Sequence, residues 1–360
     1  MQPLERHIRN RIRQEGPLTV ASYMAEALMH PQYGYYRSGN PIGAKGDFIT
    51  SPEVSQVFGE LLGLSLAVCW MDQGCPDKIC LIEAGPGRGT LLTDLVRATR
   101  GVAGFHQAFE RRIHLIEANP DLRRQQAKQL SGREPVWIDN IREAPELPLF
   151  LVANEFLDCL PVHVFKRTDG GWQERFVTAH RSGLTFTHGK PAPGSPTPEP
   201  DTGIDDIPPG STVEVSPSMQ EFAETVGYHI SRNGGGAILV DYGDWGLVGS
   251  SLQAVRNHRK SDPLADPGGT DLTAHVDFRA LARSAGRHAQ VSGMVPQGIL
   301  LERLGITARA RILARGLASD AFQSHMAAHR RLVHPDAMGA LFKAICIVPK
   351  GAPFPPGFSE

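Results

Sequence analysis

The sequence predicts a doubly wound α/β protein on a mostly parallel sheet of about seven strands. Three observations carry this. From residue 79 onward, apolar strand-like runs alternate with helix-patterned stretches. A glycine-rich loop, GPGRG, directly follows the first of those strands. The fourth strand, LPLFLVANEF, is apolar enough to be buried on both faces.

Taken in order, residues 1–75 read as mainly helical. Leu4, Ile8 and Ile12 recur at every fourth position of MQPLERHIRNRIRQEG. That is the stripe of an amphipathic helix, and Glu5, Glu15 and the lack of Ser and Thr set it apart from a cleaved presequence. A loop rich in Gly and Tyr spans 31–52, and Pro52 opens a long helical stretch, EVSQVFGELLGLSLAVCWMDQG. Strand KICLIEAG leads to helix TLLTDLVRATRG, strand RRIHLIEA to helix NPDLRRQQAKQLSG, and VWID and LPLFLVANEF follow as strands. The alternation then breaks. PVHVFKRTDGGWQERFVTAHRSGLTFTHG reads as short strands about Asp169-Gly170-Gly171 and Arg181-Ser182-Gly183, an inserted β-meander. Seven prolines between 189 and 210 mark a long, mobile loop. A helix at 217–232 and the strand AILVDYG resume the pattern, followed by helix VDFRALARSAG, a short strand near QVSGMV, helices at about 299–333 and a last strand KAICIV. The expected organisation is an N-terminal helical region with a lid (1–75), a core of 76–160 and 211–349, an insertion at 161–210, and a helical insertion at 299–335.

Composition narrows the function. With 37 Lys+Arg against 38 Asp+Glu, the net charge of -1 argues against wholesale binding to nucleic acid or an acidic membrane. No run reaches the ~20 apolar residues that span a bilayer. The 5 cysteines form no CxxC pair and are odd in number, which suits buried thiols in a reducing, cytoplasmic compartment better than a disulfide framework.

The glycine loop holds the first chemical clue. A P-loop needs GxxxxGK[ST], and no lysine follows here; a dinucleotide fingerprint needs a glycine where this chain has Thr90. Glu83 stands two residues before the first glycine, where its charge opposes a pyrophosphate and welcomes an ammonium group. Glu83 with Gly85, Gly87 and Gly89 therefore resembles motif I of the class I (Rossmann-like) S-adenosylmethionine (SAM) methyltransferases. In that fold the second strand supplies an acid for the ribose hydroxyls, here Glu117, and the third a residue near the adenine amino group, here Asp139. Plainer roles stand beside these: Glu83 as a surface carboxylate, Glu117 as a cap for the helix opening at Asn119-Pro120, and Asp139 as part of a local turn.

The fourth strand runs into Asn154-Glu155-Phe156-Leu157-Asp158, where such enzymes place the acceptor site. Asn154 is kept, but Glu-Phe replaces the two prolines common in base-amino methyltransferases, which argues against a base as acceptor. Glu155 and Asp158, three apart, would share one face of a short helical turn, and two carboxylates suit the fork of a guanidinium. Solvated acids at a helix start are the alternative.

GDFITSPEVSQVFGE, IEAGPGRGTL, NEFLDCLPVHVF, VDYGDWG, GTDLTAHVDF, PQGILLERLGI and MGALFKAICIVP occur in this order. Together they closely resemble the MidA-like family of SAM-dependent methyltransferases, bacterial relatives of the mitochondrial complex I assembly methyltransferase. The likeness spans about residues 4–349. It implies a class I methyltransferase core, SAM as cofactor, and a protein partner methylated on arginine, symmetrically in a complex I subunit for the mitochondrial member. It places a bacterial member in the cytoplasm, with the mitochondrial matrix as the alternative. It also implies that residues 46–51 fold over the cofactor, with Asp47 or Thr50 near the methionine end or the acceptor. The polar stretch QAVRNHRKSDPLADPG before GTDLTAHVDF departs from the family pattern.

Tyr242 is read as lining the acceptor pocket or as a core tyrosine, and His325 and His329 as a surface pair without the HExxH glutamate of a metal site. Asp271, His275 and Asp277 are read as substrate contacts or a capped helix start. Two rival functions remain: a SAM enzyme acting on a small molecule, and an assembly factor that binds its client with methylation secondary or absent.

Overall fold

In the computed structural model, which describes residues 2–37, 49–196, 198, 207–256 and 259–359, the expected alternation folds into one open sheet. Seven strands form the main path of this nine-stranded sheet: β1 (Cys80–Ala84), β2 (Ile113–Ile116), β3 (Val136–Ile138), β4 (Leu149–Asn154), β5 (Gly235–Asp244), β6 (Gln290–Val291) and β7 (Phe342–Val348). They lie in the order β3-β2-β1-β4-β5-β7-β6. The first five are parallel, and β7 runs antiparallel between β5 and β6. The winding reverses between β1 and β4, so the loops after these two strands open side by side. Such a switch point is where ligands bind in doubly wound sheets. Every residue of β1 and β4 is buried, the polar Glu83 and Asn154 included.

The sheet belongs to the larger of two units, Ile49–Leu157, Phe222–Gly243 and Phe278–Glu360. Its core packs Phe58, Leu62, Leu66, Leu92, Leu95, Phe150, Ile238 and Cys346, among others, from helices and sheet together. The long helix expected from Pro52 forms as two, Ser51–Val54 and Gln56–Asp72. Ser55 breaks it by taking an extended conformation, and its hydroxyl accepts the N–H of Val57 as the second helix starts. Gly59 and Gly63, four apart, let Gln56–Asp72 lie against Thr90–Ala98; a Cβ on Gly63 would stand 2.6 Å from Leu95 Cγ and 2.9 Å from its Cα. Glu60 lies on the same helix with its side chain 3% exposed, and it receives Arg97 and Arg309, each at 2.7 Å. Burial alone would push its carboxyl up; hydrogen bonds and charge from Arg309 and Arg97 outweigh that and hold it below its ordinary value. The helix that follows the glycine loop is thus fixed against Gln56–Asp72 by close backbone approach and by the Arg97–Glu60 ion pair together.

The smaller unit gathers Met1–Phe48, Asp158–Glu221 and Asp244–Asp277. Leu4, Ile8 and Ile12 are the buried residues of the first helix, Pro3–Glu15, as the four-residue spacing predicts. The meander forms as His163–Thr168, Gly171–His180 and Gly183–Gly189, and it is extended by Leu18–Thr19 on one side and Thr212–Val215 on the other. Glu174, fully buried in that sheet, accepts from His163, from Ala192 N–H and from the Ser195 hydroxyl, which anchors the start of the proline-rich stretch.

The division differs from the sequence-based boundaries at residues 49–75, 158–160, 211–221 and 244–277. Residues 49–75 belong with the sheet, because their helices carry part of its core. Residues 244–277 belong with the smaller unit, where Gln253–Arg256 pairs with Arg259–Ser261 and Asp271–Thr273 and where Ala254, Leu264, Leu272 and Ala274 join the core. Short, polar strands of this kind leave no alternation to read.

Replacing Gly63 by alanine gains helix propensity but drives a methyl into the Leu95 backbone. The expected result is a loss of ~1–3 kcal/mol, read as a lower urea midpoint with an unchanged slope. A midpoint equal to or above the parent's would show that the helices are not in close contact.

Candidate active site

The site is built at the carboxyl ends of β1 and β4. Gly85, Gly87 and Gly89 all carry positive φ (67°, 52° and 84°), a conformation that side chains resist, so the chain turns sharply between β1 and the Thr90–Ala98 helix. A Cβ at Gly85 would also meet Phe156 at 2.9 Å, the residue that follows Glu155 after β4. The helix Ser51–Val54 is tied to this loop: Glu53 accepts from Arg88 at 3.1 Å and from the Thr90 hydroxyl.

Glu83, on β1, is 3% exposed. The backbone N–H of Leu92, in the first turn of the following helix, favours its charged form, but its Oε2 has no partner. Burial raises its carboxyl to about 8; the Leu92 N–H opposes the shift and the charge of Glu117 adds to it. Glu83 pairs with Val152 in register, and side chains alternate along a strand, so Glu83, Val152 and Asn154 point to the same face. Asn154 is 8% exposed; its Nδ2 donates to Glu155 at 3.0 Å, which leaves Oδ1 as the buried, unpartnered acceptor. Two orphaned acceptors therefore sit at the ends of neighbouring strands. In a native protein such groups call for a donor.

Glu117 follows β2 and keeps both carboxylate oxygens engaged, one by Asn119 N–H (2.8 Å) and one by Gln126 Nε2 (3.1 Å). Burial pushes it up, and these two hydrogen bonds with the charge of Arg123 pull the other way. Asn119 also caps the helix Pro120–Gln129, so the plainer capping role falls to it, with Glu117 supporting it. Asp139, beyond β3, is exposed and paired with Arg123 at 3.0 Å. Thr50 stands at the start of Ser51–Val54 without a side-chain cap bond, and Asp47 lies outside the described residues.

The segment after β4 departs from expectation. No helix forms at 154–161: Glu155 takes a left-handed conformation (φ 53°), and residues 155 and 157–160 are bends and turns. Helical spacing therefore does not bring Glu155 and Asp158 together. Glu155 belongs to the larger unit, where its Oε1 accepts from Ser51 N–H at 2.9 Å and from Asn154. Asp158 opens a segment of the smaller unit, is 6% exposed, and its carbonyl accepts from Ala274 N–H. The turn is held by Asp241 of β5, fully buried, whose Oδ2 accepts the N–H groups of Phe156 and Leu157 at 3.1 and 2.9 Å. Asp241 was legible only as an acid within an apolar strand.

The remaining candidates have structural partners. Tyr242 packs on Phe342, with ring centroids 5.6 Å apart. His325 and His329 bond to Ala310 O and the Thr307 hydroxyl, tying two helices together. In the smaller unit Asp271 receives the Tyr36 hydroxyl, and Asp277 accepts Gly246 N–H. One group there, His7, Glu26 and His30, has metal-like donor types. Glu26 is already bound by Arg11 at 2.6 Å, and His30 Nδ1 accepts two backbone N–H groups. That arrangement puts the proton on Nε2 and makes a poor metal ligand.

The family model described as "Putative S-adenosyl-L-methionine-dependent methyltransferase" matches residues 61–297, more than half of the chain. The chain belongs to this family. It is 34% identical to the mitochondrial protein arginine methyltransferase NDUFAF7 of Xenopus laevis, over 95% of this chain and 84% of that protein. The human protein of the same name is 33% identical, over 96% and 83%. A crystal structure from Burkholderia thailandensis bound to S-adenosyl-homocysteine covers 98% of this chain and 93% of its own, at TM-score 0.83 and 26% identity.

This SAM-dependent methyltransferase has a site that fits its cofactor. SAM carries an ammonium group, which the orphaned oxygens of Glu83 and Asn154 would satisfy. It carries no phosphate, which an unpaired buried acid would repel.

The fit has a pH consequence. An ammonium ligand selects ionised Glu83, whose carboxyl lies at about 8 in the ligand-free protein against an ordinary 4.5. Between these values binding must expel a proton, so affinity for S-adenosylhomocysteine rises with pH and levels off above about 8. Calorimetry at pH 7 in buffers of different ionisation enthalpy should register proton release, and Glu83→Gln should abolish most of it. Equal release from both proteins would remove Glu83 from the site.

Proposed function

We propose that the chain transfers the methyl group of SAM to an arginine side chain of a protein. The observation that carries this reading is the fixed carboxylate of Glu155 at the end of β4, held by Ser51 N–H and Asn154 beside the glycine loop. The arginine methyltransferases to which the chain is one-third identical over nearly its whole length support it.

In this reading Glu83, Asn154 and the Gly85, Gly87 and Gly89 loop take the amino-acid end of SAM. Glu117 takes the ribose hydroxyls and Asp139 the adenine amino group, and the family resemblance assigns Asp47 or Thr50 to the methionine end or the acceptor. When bound, SAM supplies an electrophilic methyl group on a sulfonium. Glu155 binds the guanidinium fork, orients one nitrogen toward that methyl, and receives the proton the methylated nitrogen sheds. The left-handed backbone at Glu155 aims its side chain without a helix, and Asp241 holds the turn that makes this possible. Asp158 is retained as a second carboxylate to be tested separately. The family resemblance extends the proposal to a subunit of respiratory complex I as target, symmetric dimethylarginine as product, and a bacterial cytoplasm as location.

The test is mass spectrometry of arginine methylation in complex I from a host lacking the gene, restored with the parent, Glu155→Gln or Asp158→Asn. The parent should restore methylation. Glu155→Gln should lower it by ~100-fold or more while keeping its affinity for S-adenosylhomocysteine. Full restoration by Glu155→Gln would overturn the role of this residue. Unchanged complex I arginines in the deleted host, with gene-dependent methylation of a small molecule, would overturn the choice of acceptor.

A further inference from the structure

The helix Pro120–Gln129 is strongly polar, PDLRRQQAKQ, and buries only Leu122 and Gln126. A leucine one turn after Leu122 would pack there without any polar group to satisfy. The chain instead places an amide at 0% exposure, which is costly unless every polar atom is paired. All of them are. Gln126 Nε2 donates to Gly87 O at 2.6 Å and to Glu117 Oε2 at 3.1 Å, and its Oε1 accepts Trp137 Nε1 at 2.8 Å. Trp137 offers only a donor, so it fixes which end of the amide faces the two acceptors. The contact is close along the backbone as well: a Cβ on Gly89 would lie 3.6 Å from Gln126 Cα.

One side chain therefore joins the middle of the glycine loop to the acid after the next strand, and a third strand sets its orientation. Glu117 is held at one oxygen by Asn119 N–H and at the other by Gln126. Without Gln126 the carboxylate has a free torsion, and Gly87 O and Trp137 Nε1 lose their partner.

We infer that Gln126, oriented by Trp137, is a positioning residue that presets Glu117 and the glycine loop for the ribose of the cofactor. This rests on reading Glu117 as the ribose acid. It predicts an energetic coupling between Gln126 and a single hydroxyl of the ligand, which a residue needed only for packing would lack.

The experiment compares affinities for S-adenosylhomocysteine and its 2′-deoxy analogue by calorimetry in the parent, Gln126→Leu and Trp137→Phe, with thermal unfolding recorded for each. The parent should prefer the ribose form by ~10- to 100-fold, the worth of one hydrogen bond to a carboxylate. Gln126→Leu should reduce that preference to ~3-fold or less. Trp137→Phe removes the indole N–H together with part of a ring that packs on the core, and it frees the amide to turn over, so it should give an intermediate preference. It also keeps the test decisive if Gln126→Leu does not fold. A parent without ribose preference would overturn the reading of Glu117 and the role of Gln126 with it. A normal parent preference kept by both variants, or by Trp137→Phe alone if Gln126→Leu is unfolded, would overturn the role of Gln126 and leave Glu117 standing.

Discussion

The site depends on a carboxylate that the fold buries without finishing its hydrogen bonds. Glu83 lies buried behind the helix that follows it, with its Oε2 left unpaired inside the protein. Such an arrangement costs free energy in the ligand-free state, and burial pushes the carboxyl up to about 8, which reduces the cost. A cationic ligand reverses the balance: it supplies the missing donor and restores the charge. In the proposed reading, the choice of an ammonium-bearing cofactor over a dinucleotide follows from this one residue, since a pyrophosphate would deepen the penalty.

The surrounding structure can be understood as what keeps Glu83 and its neighbours in place. The strand order brings β1 beside β4, so the orphaned Asn154 oxygen opens on the same face as Glu83. Gly59, Gly63 and the Glu60 ion pairs hold the helix that follows Glu83, and Gln126 braces the loop between them. Asp241 fixes the turn at Glu155, and Ser51 reaches the same carboxylate from the helix that Glu53 ties to the glycine loop. Donor and acceptor ends are thus linked through short, local contacts within one unit. No long-range coupling is needed.

The parts legible in the sequence were those with strong periodicity or unusual spacing. The leucine–isoleucine stripe of the first helix, the apolar β1 and β4, and the three alternate glycines each had one physical solution. Single polar residues whose role is set by distant partners were not legible. Gln126 looks no different from Gln125 until Trp137 and Gly87 are folded around it, and Asp241 is one acid in an apolar strand. The expected helical turn at Glu155 failed for a similar reason: two backbone hydrogen bonds to Asp241 override local propensity. Short polar strands at 253–273 escaped because their pairing, and not their pattern, makes them strands.

The most direct measurement is a crystal structure of the protein with S-adenosylhomocysteine. The ligand's amino nitrogen should lie within about 3 Å of Glu83 Oε2 and Asn154 Oδ1, with Gly85, Gly87 and Gly89 unchanged in φ. An amino group bound elsewhere, with both oxygens still unpaired, would contradict the assignment of the cofactor seat.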